Sequence, residues 1–456
     1  MTVVGGGLAG SEATRVLAAA GVSVQLHEMR PVRMTPAHET DGLAEIVCSN
    51  SLGSTAPQTS KGVLLEEMRR LGSLIVSTAE ASRVPAGASL AVERSVFSRK
   101  VTEHLQSLPG VEIFRDEVTA LPAEGPTLLA TGPLTSDALA NSLAERTGNA
   151  HLAFYDAIAP IVTTESLDHD VLYAASRYGR GDPDFLNCPL NEEQYTRFVA
   201  DLLAADKVEP KDFETEVFFE GCMPIEEIAR RGPRTLAFGP MRPVGLPDPR
   251  TGRVPHAVIQ LRREDPHGQL YNLVGFQTKL KYGEQKRIFR TLPGFGAVEF
   301  ARLGSIHRNT FLNTPALLAE DLSLKTRRDL WFGGLLVGVE GYAECAAAGL
   351  MAALGIVAAI RGRRFVPPPR TTMLGGLMAH LREADPTHFQ PMNVNFGLLP
   401  PIPKPVKGTG AAAIKGKRAR RLAAGERALA DMDAWIEEQD LGWLGGKRSE
   451  SQAEPA

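Results

Sequence analysis

The chain is poor in cysteine and nearly balanced in charge. Its 456 residues include only four cysteines, and no two of them form a CxxC pair. This argues against a disulfide framework and a structural zinc site, so we expect no metal and a reducing, cytoplasmic location. Lys and Arg number 50 against 53 Asp and Glu, a net charge of −3. Any contact with a polyanion must therefore come from local clusters of basic side chains.

The longest apolar stretch of the sequence is not free of charged residues. The longest apolar stretch, residues 330–360, contains Glu340 and Glu344. Two central carboxylates would cost about 5 kcal/mol or more on insertion into a membrane. We therefore predict a buried strand, turn and helix here, and no contact with a membrane. No charged segment followed by an apolar one precedes the first strand, so we expect no secretory signal.

The strongest motif lies at the N-terminus. Three small or β-branched residues lead into a Gly-x-Gly-x-x-Gly turn, and a helical pattern follows. In such a strand–turn–helix, backbone N–H groups and the helix N-terminus approach a pyrophosphate. A second strand, residues 22–27, ends at Glu28, where a carboxylate accepts hydrogen bonds from ribose hydroxyls. The sequence predicts a βαβ unit that binds a dinucleotide through Glu28 and Gly5, Gly6, Gly7, Leu8, Ala9 and Gly10.

Two later segments are predicted to return to this site. The strand at 127–132 ends in Ala-Thr-Gly, a pattern typical of flavoproteins with two dinucleotide-binding domains. A Gly-rich turn before a helix near Tyr342 would bring a second helix N-terminus to the cofactor. We therefore predict cofactor contacts from Thr131, Gly132, Gly338, Gly341 and Tyr342. The fold class is α/β: a Rossmann-like FAD-binding domain with an inserted α+β domain.

Changes in composition suggest four parts of the chain. Residues 1–190 would form the first part of the FAD-binding domain and residues 315–400 its returning part. Residues 191–314, with charged helices and short aromatic strands, would form an inserted substrate domain. Residues 401–456 would be a basic helical segment with a disordered tail. Within the first part we predict one helix over 60–77 and another over about 95–108.

Two cysteines and one polar cluster could carry chemistry. Cys222 precedes Pro224, which suits the first turn of a helix, and a helix N-terminus stabilises a thiolate. The alternative, a buried structural cysteine, is the commoner role of this residue type. Cys48 lies in an irregular loop, where core packing explains it less easily. Basic and polar side chains that could bind an anionic substrate, or form a solvated charged face, are Lys281, Arg287, His307, Arg308 and Asn309.

Together these strings resemble the TrmFO family of bacterial folate- and flavin-dependent tRNA uracil-5-methyltransferases. The match is carried by residues 5–13, 47–52, 130–135, 155–162, 221–226, 276–278, 284–287, 307–310, 338–342 and 392–397. The resemblance implies that a one-carbon unit from 5,10-methylenetetrahydrofolate is reduced by FADH2 and left as a methyl group on C5 of the T-loop uridine of tRNA. NADH or NADPH would recharge the flavin, and the folate product would be tetrahydrofolate.

The resemblance also assigns roles to both thiols. Cys222 would add to C6 of the uracil, and Cys48 would be the second catalytic thiol, although these roles could be exchanged. One departure from the family pattern is Leu335, which stands where the family usually has Gln and cannot hydrogen-bond the flavin by its side chain. Two alternatives remain: an enzyme like MnmG, which modifies the wobble uridine, and a non-catalytic flavin-containing tRNA-binding protein.

Overall fold

A computed structural model describes residues 1–147, 151–179, 181–208, 223–265, 267–387, 389–403 and 414–445, with the backbone alone for 151–158 and 305–310. The described strands are β1 (Thr2–Val4), β2 (Val24–His27), β3 (Ser51–Ser54), β4 (Arg83–Val84), β5 (Ser89–Val92), β6 (Val111–Phe114), β7 (Thr127–Leu129), β8 (His151–Ile158), β9 (Ile161–Thr163), β10 (Tyr173–Ala174), β11 (Phe185–Leu190), β12 (Ala257–Arg263), β13 (Leu270–Leu273), β14 (Phe300–Arg302), β15 (Ser305–Leu312), β16 (Ser323–Leu324) and β17 (Arg327–Phe332).

The described α-helices are α1 (Leu8–Ala19), α2 (Ser60–Arg70), α3 (Leu74–Glu80), α4 (Arg94–Ser107), α5 (Asp137–Thr147), α6 (Glu192–Ala204), α7 (Ile225–Arg230), α8 (Thr235–Phe238), α9 (Tyr282–Phe289), α10 (Thr314–Leu317), α11 (Tyr342–Ile360), α12 (Met373–Glu383) and α13 (Lys417–Glu438).

The first sheet has the strand order β16-β17-β7-β1-β2-β6. Its strands run parallel except for β16, which pairs antiparallel with β17. Because the parallel strands point the same way, the residues that follow β1, β2, β7 and β17 meet at one edge of the sheet. This arrangement confirms the predicted α/β, Rossmann-like fold, in which ligands bind at the carboxyl ends of the strands.

The apolar run at 330–360 folds as predicted into a strand, a turn and a helix. β17 is followed by a short 3-10 turn and then by α11. By length and composition α11 could cross a membrane, but 83% of its most apolar window is buried inside the protein. It packs against α1, where the Cβ of an added side chain at Gly349 would lie 2.2 Å from the carbonyl oxygen of Ala9. The helix therefore belongs to the core of the first sheet.

The predicted helix over 60–77 is wrong in one respect, because the chain forms two helices there. Gly72, with φ +64°, interrupts the helical backbone. The Ser73 hydroxyl then accepts a hydrogen bond from the N–H of Val76 and caps α3. An added side chain at Gly72 would also come within 2.2 Å of the carbonyl oxygen of Leu444. The break thus makes room for the C-terminal segment, which apolar periodicity cannot reveal.

A second, antiparallel sheet has the order β10-β11-β12-β13-β9-β14 and its own apolar core. Aromatic rings of Phe198, Phe276 and Phe289 pack together there, with centroids 6.0 to 6.4 Å apart. This core includes residues from Val162 to Val298, so it begins before the predicted start of the inserted domain at residue 191. The backbone of β8 pairs antiparallel with β15, at the two chain crossings between the sheets. The predicted domain boundaries at 190/191 and 314/315 stay predictions.

The C-terminal helix α13 closes over the first core. The Arg70 guanidinium donates to the carbonyl oxygen of Leu429 at 2.8 Å, and the indole N–H of Trp435 donates to Val366 at 3.2 Å. The basic residues at the start of α13 remain exposed to solvent. This helix, Lys417–Glu438, lies within the predicted basic helical segment. The predicted disordered tail lies outside the described residues.

Candidate active site

A cavity of about 390 Å³ lies at the carboxyl edge of the first sheet. It is lined by residues that follow four of the strands, by the loop before β3, and by the start of α11. The predicted site residues among its lining are Gly5, Gly7, Leu8, Ala9, Glu28, Cys48, Thr131, Gly132, Gly341 and Tyr342. The fold therefore brings together positions spread over more than 300 residues of sequence.

The glycines of the first turn serve different purposes. Gly5 has φ +102°, and an added Cβ there would lie 2.5 Å from the carbonyl oxygen of Ala130. A Cβ on Gly10 would lie 1.9 Å from the carbonyl oxygen of Gly5, so this glycine permits the tight turn. A Cβ on Gly7 would have no heavy atom within 4 Å. The open side of Gly7, at the N-cap of α1, leaves the space that a phosphate group needs.

Glu28 lies where the second strand ends, as predicted, and organises the turn. Its carboxylate accepts hydrogen bonds from the Gly6 N–H at 2.9 Å and from the Arg30 Nε at 2.8 Å. Burial raises the pKa of Glu28, but the hydrogen bonds and charge of Arg30 and the Gly6 N–H outweigh it and hold the pKa below its usual range. The Gly6 N–H is therefore used within the protein, while the ionised Glu28 lines the cavity.

Arg30 and His38 extend this wall of the cavity. The Arg30 guanidinium is buried between Glu28 and Glu45, at 2.8 Å from each carboxylate. The His38 Nδ1 lies 2.6 Å from the Thr35 hydroxyl. Burial and the positive charge of Arg30 lower the pKa of His38 to about 4. The imidazole is therefore neutral at physiological pH, and the wall combines a compensated cation with a neutral ring.

Cys48 meets the start of α11 in the cavity. Its backbone N–H donates to the hydroxyl of Tyr342 at 2.7 Å, and its carbonyl oxygen accepts from Arg94 at 2.6 Å. Cys345, one turn into α11, also lines the cavity, but burial raises the pKa of its thiol to about 12. Burial therefore keeps the Cys345 thiol protonated at physiological pH.

Lys61 and Glu344 form an ion pair beside the second glycine turn. The Glu344 side chain is fully buried, and its other oxygen accepts from the N–H of Val394 at 2.9 Å. The Lys61 amine also contacts Asn393 at 3.2 Å. An added Cβ at Gly341 would lie within 2.8 Å of all three polar side chains, which explains the glycine. The sequence alone gave no signal for this cluster, since Lys61 has the spacing of an exposed helix residue.

Of the remaining predicted cofactor residues, some line the cavity and others do not. Gly338, with φ +83°, does not line the cavity; an added Cβ there would lie 2.4 Å from the Phe389 ring, so it shapes the turn. Thr131 holds Thr135 by a hydroxyl contact of 2.6 Å. Leu335 lines the cavity with an apolar side chain, as the departure from the family pattern implies.

The predicted substrate cluster and the second thiol lie elsewhere or outside the described residues. Lys281 contacts Asp206 at 3.5 Å and Arg287 pairs with Glu284 at 2.6 Å; both are exposed, Lys281 just before α9 and Arg287 on it. Neither residue lines the cavity. Only the backbone of His307, Arg308 and Asn309 is described, within β15. Cys222 lies outside the described residues. In the described part of the chain no cluster of His, Cys, Asp or Glu suits a metal ion.

Comparison with known proteins places this chain in a family. Residues 1–364 match the family described as Glucose inhibited division protein A. The Geobacter sulfurreducens protein named methylenetetrahydrofolate--tRNA-(uracil-5-)-methyltransferase TrmFO is 54% identical over 437 residues, 96% of this chain and 98% of that protein. A protein of the same name from Desulforudis audaxviator is 52% identical over 445 residues, 96% and 99% of the two chains.

Among solved structures, GidA from Aquifex aeolicus superposes with a TM-score of 0.67 at 14% identity. It covers 99% of this chain and 74% of the GidA chain. This likeness supports the fold alone, whereas identity above 50% over nearly the whole length of both chains shows the family. The chain therefore belongs to the TrmFO family, within the wider Glucose inhibited division protein A family.

Proposed function

We propose that this protein uses 5,10-methylenetetrahydrofolate and FADH2 to methylate C5 of the T-loop uridine in tRNA. The observation that carries the proposal is that one cavity joins a dinucleotide-type glycine turn to the Cys48 loop. The relatives named TrmFO act, by their name, as methylenetetrahydrofolate-dependent tRNA uracil-5-methyltransferases. A dinucleotide site beside a thiol is the combination that such a reaction requires.

The cavity residues fit FAD. Gly7 and the N-terminus of α1 would face the pyrophosphate, and the ionised Glu28, which accepts three hydrogen bonds within the protein, retains one lone pair for a ribose hydroxyl. Thr131, Gly132, Gly341 and Tyr342 would bound the flavin from the other side. Leu335 offers only van der Waals contact there. When bound and reduced, FAD supplies the hydride that converts the one-carbon unit into a methyl group.

The two thiols would divide the remaining chemistry. Uracil C5 becomes nucleophilic when a thiolate adds to C6, and a base must later remove the C5 proton before the thiolate leaves. We assign the addition to Cys222 and the second thiol role to Cys48. In support, the Ile225 N–H, three residues after Cys222, donates at 2.7 Å to the carbonyl oxygen of Gln277, which lines the cavity.

The basic start of α13 would bind the tRNA backbone. Lys417, Arg418, Arg420 and Arg421 are exposed there. Lys281 and Arg287 would add to this surface, although acidic neighbours partly compensate their charge. Phosphate contacts supply most of the sequence-independent affinity for nucleic acids. Recognition of the T arm, use of NADH or NADPH, and a cytoplasmic location belong to the same proposal.

The alternatives have less support. An MnmG-like activity on the wobble uridine would suit the shared fold, but the relatives above 50% identity bear the TrmFO name. A non-catalytic tRNA-binding flavoprotein would not need a thiol, and Cys48 lines the cofactor cavity. Both alternatives predict no methyl transfer from folate to the T loop.

The test is to incubate purified protein with unmodified tRNA, 5,10-methylenetetrahydrofolate and NADH, and to measure 5-methyluridine. We expect product from the wild type, much less from Cys48→Ala and none from Cys222→Ala. Cys188→Ala is the control, because burial raises the pKa of this thiol well above its ordinary value. Absence of product from the wild type would overturn the proposal, and full activity of Cys222→Ala would overturn the thiol assignment.

A further inference from the structure

Two buried arginines from distant parts of the chain hold the loop that carries Cys48. Arg94, the first residue of α4, donates to the carbonyl oxygens of Ile46 at 2.5 Å and Cys48 at 2.6 Å. These bonds fix the backbone on both sides of Val47. Arg94 is itself held by Glu264, with Nε 2.7 Å and a terminal nitrogen 3.2 Å from the two carboxylate oxygens. The bidentate geometry leaves the guanidinium little freedom.

Arg262, on β12, holds the next part of the same loop. It donates to the Asn50 side-chain oxygen at 2.8 Å and to the Ser49 hydroxyl at 2.6 Å. The Asn50 amide donates in turn to the carbonyl oxygen of Arg263 at 2.9 Å. The Cys48 loop is therefore attached to the second sheet by side chains that pair specifically with its polar residues.

The charges in this cluster do not balance. Arg94, Arg262 and Glu264 are all largely buried, and together they comprise two cations and one anion. A buried charge without compensation is costly. Both guanidinium groups lie close enough to Cys48 and Tyr342 to interact with a negative charge on either. A thiolate at Cys48 would neutralise the excess positive charge.

We propose that Arg94 and Arg262, with Glu264 bound to Arg94, form a cationic clamp that holds Cys48 as a thiolate and aims it into the cofactor cavity. They are positioning residues for the second thiol, and this catalytic meaning rests on the proposed function. Arg262 lies on β12 of the second sheet and Glu264 directly follows that strand. The second sheet would therefore set the reactivity of Cys48, which lines the cavity at the edge of the first sheet. Other titratable groups at the start of α11, on this side of the cavity, are Tyr342, Cys345, Glu340, Glu344 and its partner Lys61.

The test measures the rate of Cys48 alkylation by iodoacetamide between pH 5 and 9 on the flavin-loaded full chain. Mass spectrometry of the tryptic peptide 34–61 separates Cys48 from the other three cysteines. Because an opposite charge at short range shifts a titration by about 1–3 pH units, Arg262→Met and Arg94→Met should each move the half-point of alkylation upward by about one pH unit or more. Arg94→Lys should restore much of that shift.

The Glu264→Gln variant distinguishes an electrostatic effect on the Cys48 thiol from a purely structural role in holding its loop. Removing the anion increases the positive charge beside Cys48, so the half-point should move downward or stay, opposite to the arginine variants. Arg327→Met is the matched control, because Arg327 also binds one carboxylate, Asp329, and two backbone carbonyls, but these belong to Pro122 and Gly125 and not to the Cys48 loop. Its half-point should equal that of the wild type.

Unchanged half-points in both arginine variants, or an upward shift in Glu264→Gln equal to theirs, would overturn the clamp. This assay needs neither tRNA nor folate, so its outcome is independent of whether the protein methylates tRNA. In the methylation assay the clamp predicts that kcat falls in Arg262→Met, with an activity optimum displaced to higher pH, while KM for tRNA changes little.

Discussion

The backbone N–H of Cys48 donates to the hydroxyl oxygen of Tyr342 at 2.7 Å, across 294 residues of sequence. Through this bond the loop that carries a thiol is fixed to the first residue of the helix that borders the cavity. The position of Cys48 relative to the cavity is therefore determined by α11 and not only by its own loop.

Tyr342→Phe should weaken this attachment. Loss of the acceptor for a partly buried N–H costs about 1–3 kcal/mol, and we expect the free energy of unfolding to fall within that range. Methylation should fall more than flavin content, because the thiol is displaced while the glycine turns are intact. Chemical denaturation and the ratio of flavin to protein measure both effects. Tyr282→Phe, at an exposed tyrosine on α9, should change neither.

Lys61→Met should destabilise the protein strongly. Removing the amine leaves the fully buried Glu344 carboxylate without its cation, which costs about 3–5 kcal/mol. Adding Glu344→Gln should recover most of the loss, since the amide oxygen can still accept from Val394. Unfolding of the four proteins in a double-mutant cycle measures the coupling. Additive losses of stability in the two single variants would contradict a coupling between Lys61 and Glu344. Lys286→Met, at an exposed lysine, is the control.

His38 should make the protein sensitive to mild acid. Its pKa is lowered to about 4 in the folded chain, by burial first and by Arg30 second. Because an unfolded histidine titrates near 6.5, the unfolded chain binds the proton first as pH falls. The free energy of unfolding should therefore decrease between about pH 6.5 and pH 4, by up to about 1.4 kcal/mol per pH unit.

His38→Gln should flatten this part of the pH profile, measured by urea denaturation at successive pH values. His267→Gln, at an exposed histidine, should leave the slope as it is in the wild type. An unaltered slope in His38→Gln would show that another group causes the acid sensitivity.

The start of α13 should contribute to the salt dependence of tRNA binding. Each phosphate contact changes the slope of log K against log salt by about 0.7–0.9, so Arg418→Ala with Arg420→Ala should reduce its magnitude by up to about 1.8. Lys281→Ala with Arg287→Ala should have a smaller effect, because Asp206 and Glu284 already pair with them. Filter binding over a salt series measures the slopes, and equal slopes in wild type and the α13 variant would contradict this surface.

Much of the first sheet could be predicted from local sequence. The Gly5–Gly10 turn, the position of Glu28 after a strand and the helix beginning at Tyr342 each depend on nearest neighbours and a clear periodicity. The break at Gly72 could not be predicted in this way, because it accommodates Leu444 from the far end of the chain. The local sequence pattern thus identifies helices and strands but not the segments that pack against them.

The ion pairs of the site could not be predicted from the sequence. Lys61 and Glu344 are 283 residues apart, and Arg94 and Glu264 are 170 apart. In the sequence each of these residues resembles an ordinary charge on a helix or strand. The Gly6 N–H was expected to face the cofactor, yet it donates to Glu28. Ion pairs and donor use depend on tertiary contacts, which a single sequence does not contain.

In the proposed reaction the methyl carbon placed on tRNA comes from methylenetetrahydrofolate, and the hydride comes from outside the folate. Purified protein should be supplied with unmodified tRNA, NADH and 5,10-methylenetetrahydrofolate labelled with ¹³C in its methylene group, and both products analysed by mass spectrometry. We expect ¹³C in the methyl group of T-loop 5-methyluridine and tetrahydrofolate as the folate product. Unlabelled 5-methyluridine, or dihydrofolate in place of tetrahydrofolate, would contradict the account.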